Sequence, residues 1–459
     1  MRKRILVLIG SGVVILGAVA GSRQSAVRAA DPRDGPVGTS PIQHIVVIYQ
    51  ENHSFDNVLG AFCVTKGRCQ GASTGTISTG ATIPLTAAPD VVPAVDHSVT
   101  SQELAINGGA MNQFDLLTGC SQAENYACYS TYLRNVIPNV WKLADGYALS
   151  DQTFEPDIVS SWGAHIELVA ATLDDFTGDN PVFGNPPSKG PGWGCDSYRE
   201  APWQDPDTGE VSNEPSCIPD VNGNGPWRTS PVSYVPTIMD RLDGAGLTWK
   251  IYASHNPPGQ PLKLATPYGW AICPTFAECL YGAQAANMVD TGQILTDAAT
   301  GLPTLSIVLP DQKRSQHNSD SMIKGDNWIG QVVKAIQSGP SWSTTAIFVT
   351  WDDCGCFYDH VPPPPGLGVR VPMVIVSPYA IPGFTDSTVA SFASLLAFTE
   401  HTFGLEPLSN DDATAYDYSG SFNYDQPPRL APVHLASQPV PAASLRYIRA
   451  HPPDEDDPT

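Results

Sequence analysis

The sequence predicts an α/β protein, an α/β/α sandwich with a mostly parallel central sheet, and three observations lead there. Short, nearly continuous apolar runs rich in β-branched and aromatic residues occupy 42–50, 247–253, 305–309, 346–351 and 371–376; such runs are the mark of strands buried on both faces. Helical segments at 137–145, 163–171, 235–244, 323–337 and 392–403 alternate with them, the order that places helices on both faces of a parallel sheet. Two of the strands run directly into acidic residues, at the C-terminal edge where open α/β sheets place their ligand sites.

The first of these strands reads I-V-V-I-Y-Q-E-N-H-S-F-D over 45–56, and the second I-F-V-T-W-D-D-C-G-C-F-Y-D-H-V-P-P-P-P over 347–365. If both acidic ends serve one site, a single domain must span most of the 459 residues; it is placed at 31–440. A charged fraction of only 15% beside 42% hydrophobic residues allows a sizeable core. Between 178 and 231 the alternation breaks into a stretch rich in Gly, Pro, Asn and Asp. A long loop of this kind is expected to be functional, as a lid-like insertion. Within it, D-V-N-G-N-G at 220–225 opens like a calcium loop, but its twelfth position is Pro231 instead of Glu, so it reads as a turn.

Residues 1–30 have the pattern of an export signal: Arg2, Lys3 and Arg4, then an apolar stretch, then small residues around a cleavage point near Ala29 or Ala30. The expectation is a secreted or envelope-associated chain with no stable membrane anchor after cleavage. The formal net charge is −22; without the five basic residues of the signal, 19 basic residues face 46 acidic ones. Such a field opposes nucleic acid and anionic membrane surfaces, so no nucleic-acid partner is expected. The segment 441–459 is read as an acidic, disordered tail. Ten cysteines in an exported chain imply disulfides. Spacing favours Cys63 with Cys69, Cys120 with Cys128, Cys195 with Cys217 and Cys273 with Cys279. Cys354 and Cys356 are left over, beside Asp352 and Asp353.

Asp352 and Asp353 are adjacent like charges that repel unless something neutralises them. With Glu51 and Asn52 they form a set of hard oxygen donors suited to one divalent cation, with calcium, magnesium and zinc all open. Ser161 also fits an ordinary helix N-cap, and Ser160 is an immediate rival as nucleophile.

The E-N-H-S-F-D, W-D-D-x-G-x-F-Y-D-H-V-P-P-P and R-V-P-M-V-I-V-S-P (370–378) segments resemble the bacterial phosphoesterase family, which includes acid phosphatase A and the non-specific phospholipases C. D-H-S at 96–98, N-G-G-x-M at 107–111, S-Q-H at 315–317 and W-I-G-Q-V-V-K-A-I at 328–336 follow in the same order. The resemblance covers about 41–428 and implies an alkaline-phosphatase-like fold. It implies Glu51, Asn52, Asp352 and Asp353 as metal ligands and Ser161, in S-S-W-G-A-H at 160–165, as nucleophile. It further implies His97, His317 and His360 around the phosphoryl group. From the residues themselves, Asp359 is expected to orient the His360 ring. His165 and the remaining histidines are read as structural or surface residues, as is His53, the one among them that neighbours the expected ligands. Gly163-Ala164 stand where relatives carry Pro-Asn, and Cys354 and Cys356 replace residues that are commonly His or Asn and Gly.

The expected activity is hydrolysis of phosphoric esters through a phosphoserine, with a phosphomonoester as first substrate and a phospholipid head group as the alternative. Further alternatives are a sulfatase-like or phosphotransferase enzyme, or a degenerate binding protein.

Overall fold

The computed structural model describes residues 40–183, 192–254 and 272–451. The expected export signal, the acidic run at 452–459 and residues 184–191 of the expected lid lie outside them. The central sheet contains, in chain order, β1 (His44–Gln50), β2 (Ala148–Ser150), β3 (Trp249–Tyr252), β4 (Met288–Val289), β5 (Leu305–Val308), β6 (Thr345–Trp351), β7 (Met373–Val376) and β8 (Thr385–Asp386). Across the sheet their order is β4-β3-β5-β1-β6-β7-β2-β8. All neighbours are parallel except β7, which runs antiparallel to both β6 and β2. β1 from Ile45 onward and all of β6 are buried, as their unbroken apolar sequences require.

The helices of the described residues include α1 (Pro138–Gly146), α2 (Ser161–Ala170), α3 (Ile238–Gly244), α4 (Gln293–Thr300), α5 (Met322–Gln337), α6 (Ala393–Phe403) and α7 (Ala442–Ala450). Leu168 of α2, Ile238 of α3 and Leu395 of α6 meet Val47, Leu305 and Ile307 on one face of the sheet. The helices α1 and α4 pack with α5 as a separate group. This is the α/β/α sandwich expected from the sequence. Helix α3 begins three residues later than expected because Pro236 precedes Thr237. Thr237 then caps the helix in a reciprocal pair with Asp240.

Two expectations change. The segment 178–231 is not structureless: Val182–Phe183, Arg199–Gln204 and Val211–Pro215 form a small antiparallel sheet. The Cys195–Cys217 disulfide and an Arg228 that reaches both Glu200 and Glu214 at 2.9 Å hold it together. The tail does not begin at 441, since α7 occupies its first part. The turn at 220–225 is as expected, with the Asp220 carboxylate accepting from the Asn222 and Asn224 amides at 2.8 and 2.9 Å. All four expected disulfides are present. No helix among the described residues is long and apolar enough to cross a membrane.

Candidate active site

Sheet register assembles the site. β1 and β6 lie side by side with Gln50 level with Trp351, so the residues that follow each strand emerge together. Asp352 N–H donates to Gln50 O at 2.9 Å, and Asn52 N–H donates to Asp352 Oδ1 at 2.7 Å. Asn52 takes a left-handed conformation, φ 53°, which Asn tolerates better than most residues. Gly355 is left-handed as well, and a Cβ there would stand 2.3 Å from Asn52 O. We therefore expect Gly355→Ala to cost about 1–3 kcal/mol through the backbone alone. It would also push Asn52 out of place. Denaturant unfolding together with metal retention checks both effects.

Helix α2 delivers Ser161 from the other side. Ser160, not Ser161, is the N-cap, and its side chain makes no capping bond. Ser161 is the first helical residue, so the ordinary N-cap reading does not describe it. Its Oγ lies 3.3 Å from Glu51 Oε2, 3.2 Å from Asp353 Oδ2 and 3.2 Å from Asn52 Nδ2. Gly163 has a local reason: a Cβ there would lie 2.9 Å from Gly178 O. The helix amides are less available than the N-terminal position implies, because Trp162 N–H already donates to Asn180 Oδ1 at 2.8 Å.

Glu51, Asn52, Asp352 and Asp353 are fully buried. Among the described residues no Lys or Arg pairs with the three carboxylates. Burial, with Asp353 nearby, pushes Glu51 up to about 8. Burial and then the Glu51 and Asp353 charges raise Asp352, and burial raises Asp353. Three carboxylates in one dry site need a counter-charge. Glu51 Oε1, Asn52 Oδ1 and Asp352 Oδ2 are buried without accepting a hydrogen bond. Unclaimed oxygens on a buried acidic set fit a divalent cation.

His97 adjoins this group. Its Nδ1 donates to Val95 O at 2.8 Å, which leaves Nε2 to accept from Asn52 Nδ2 at 2.7 Å. The His317 ring packs edge-on to His97 with centroids 5.9 Å apart. The sequence reading missed His165. Its Nε2 is 3.5 Å from Glu51 Oε1 and 3.8 Å from Asp352 Oδ2. His53 is structural, wedged between Asn57 Oδ1 at 2.8 Å and Gln316 O at 3.1 Å; burial lowers it to about 3.

His360 Nδ1 lies 2.5 Å from Asp56 Oδ2, and no hydrogen bond or ion pair among the described residues links His360 to Ser161, Asn52 or Asp353. Asp359, the expected orienting residue, instead faces Arg370, accepting at 3.2 and 3.1 Å. A side chain 304 positions away in sequence orients His360 in place of its neighbour. Cys354 and Cys356 are free and buried, and burial pushes both thiols up. Protonated thiols make poor metal ligands.

The family model described as Phosphoesterase family matches residues 42–406. The chain belongs to that family. Phospholipase C A of Mycobacterium tuberculosis (strain CDC 1551 / Oshkosh) is 25% identical over 462 residues, covering 87% of this chain and 81% of that protein. A non-hemolytic phospholipase C of Burkholderia pseudomallei is 24% identical, covering 94% and 69%. Among solved structures, a protein in the alkaline phosphatase superfamily from Vibrio parahaemolyticus aligns with a TM-score of 0.36 at 12% identity, covering 82% of this chain and 69% of that one. As a member of the Phosphoesterase family, the chain is a hydrolase acting on phosphoric esters.

Proposed function

We propose that Ser161 is the nucleophile of a metal-dependent phosphoric ester hydrolase. The observation that carries this reading is the Ser161 hydroxyl, held at the start of α2 between the carboxylates of Glu51 and Asp353. Glu51, Asn52, Asp352 and Asp353 would hold a divalent cation, which neutralises phosphoryl oxygens and lowers the pKa of the serine hydroxyl. Glu51 and Asp353 are placed to take the Ser161 proton as Oγ bonds to phosphorus and the bond to the leaving alcohol breaks. The Asn52 amide fixes the hydroxyl and is itself oriented by His97. His317 would steady the phosphoryl oxygens and protonate the departing alkoxide, while His97 holds the Asn52 amide in place. Water then cleaves the phosphoserine.

For the substrate we favour a phospholipid head-group diester, because both relatives described above, which span most of the chain, are named phospholipases C. A phosphomonoester is the second reading, resting on Ser at position 161 as in the phosphatase branch of the resemblance. Parallel kinetics on p-nitrophenyl phosphate and p-nitrophenyl phosphorylcholine, each with and without chelator, test both. The expected result is a kcat/KM at least about tenfold higher on the diester and a fall of at least about 100-fold with chelator. The reverse ratio selects the monoester reading, and activity indifferent to chelator overturns the metal.

A further inference from the structure

We propose that His165 is a ligand of the cation, and that the site therefore takes a first-row transition metal of the zinc class in preference to calcium or magnesium. This deepens the reading above and rests on its placement of a cation among Glu51, Asp352 and Asp353. Ser161 and His165 are four residues apart on α2, so one helical face presents both to the acidic strand ends. Glu51 is shared between them: Oε2 lies against Ser161 Oγ and Oε1 against His165 Nε2.

The spacing is that of co-ligands. His165 Nε2 stands 3.5 Å from Glu51 Oε1 and 3.8 Å from Asp352 Oδ2, too far for good hydrogen bonds. Neighbouring donor atoms each about 2.1 Å from one cation stand about 3.0–3.4 Å apart. One ligand atom from each of these three residues lies within 4.8 Å of the other two. The two carboxylate oxygens that face the imidazole, Glu51 Oε1 and Asp352 Oδ2, are buried and accept no hydrogen bond. The ring is held in place by Tyr49, with centroids 5.1 Å apart, and the Tyr49 hydroxyl donates to Ala164 O at 3.1 Å. A rigid, buried nitrogen facing two unclaimed carboxylate oxygens makes a mixed donor set. Imidazole suits zinc and its first-row neighbours, whereas calcium takes six to eight oxygens.

The test is metal competition on the full chain, stripped with chelator and dialysed against equimolar zinc, calcium and magnesium, with bound metal counted by mass spectrometry. The expected result is one retained equivalent of zinc that excess calcium does not displace. Preferential retention of calcium or magnesium overturns the proposal. His165→Ala should weaken zinc by more than the ~10–100-fold that loss of a supporting group costs. His434→Ala, a surface control, should leave it unchanged. Unchanged zinc affinity in His165→Ala also overturns the proposal. Should that variant fail to fold, cobalt in the wild-type chain decides: a strongly shifted, exchangeable imidazole proton in the proton NMR spectrum of the cobalt-loaded chain marks a histidine ligand, and its absence refutes the proposal. None of these readouts needs turnover. Zinc held through His165 with no ester cleaved would sink the hydrolase reading alone, and chelator-sensitive hydrolysis with calcium bound would sink this one alone.

Discussion

Ser161→Ala is expected to lower kcat by about 10³-fold or more on whichever ester the enzyme turns over, the scale of loss seen when a covalent nucleophile is removed. Three polar groups from two remote segments, Glu51, Asn52 and Asp353, converge within 3.3 Å of this one hydroxyl. Ser160→Ala is the discriminating control. Among the described residues Ser160 Oγ hydrogen-bonds only His97 O, at 3.5 Å, and its side chain does not cap α2. Its loss should cost less than about tenfold, through a small shift of His97. Acid quenching during turnover should leave a phosphoryl group on the Ser161 peptide of the wild-type chain and none on the Ala variant. Full activity in Ser161→Ala would remove the assigned nucleophile. Full activity lost only in Ser160→Ala would transfer the role to its neighbour.

Much of this arrangement was legible in the sequence, for a physical reason. Strands buried on both faces must be apolar throughout, so β1 and β6 stand out, and the residues that end them must sit at the sheet edge. Their parallel pairing in level register then brings Glu51 and Asn52 to Asp352 and Asp353. The two- and three-residue strands β2, β4 and β8 were not legible, because so few residues carry no period. His165 was missed through a boundary. With the helix expected to start at Gly163, Ser161 falls outside it and the four-residue spacing to His165 has no meaning. With the helix starting at Ser161, the same spacing puts both side chains on one face. The partner that orients His360 was not legible: adjacency to Asp359 in sequence is weak evidence of contact, and Asp56 comes from the other motif. In α7, the acidic residues beyond 452 coloured the reading of a segment that itself contains good helix formers.

Arg370→Met is expected to destabilise the fold by about 3–5 kcal/mol, because it strands buried acids without their counter-ion. The Arg370 side chain is fully buried. Its guanidinium meets Asp359 at 3.1 Å and Asp56 at 3.5 Å, and donates to Gln70 O at 3.0 Å and Asp151 O at 2.8 Å. It also stacks over Phe55 at 4.2 Å. Asp56 follows the Glu51-Asn52 end of β1, and Asp359 follows the Asp352-Asp353 end of β6. One planar cation thus ties together the loops that carry the two halves of the site. Lysine offers a point charge without the fork, so Arg370→Lys should recover little of the loss. Urea unfolding gives the magnitude, and a loss below about 1 kcal/mol would mean the clamp is not needed for the fold. If the clamp also sets the site, the folded fraction of Arg370→Lys should bind metal more weakly than the wild-type chain. The residue lies in the R-V-P segment, whose resemblance to the family came with no assigned role; its position explains why Arg is needed there, since only a five-donor plane serves both acids and both carbonyls at once.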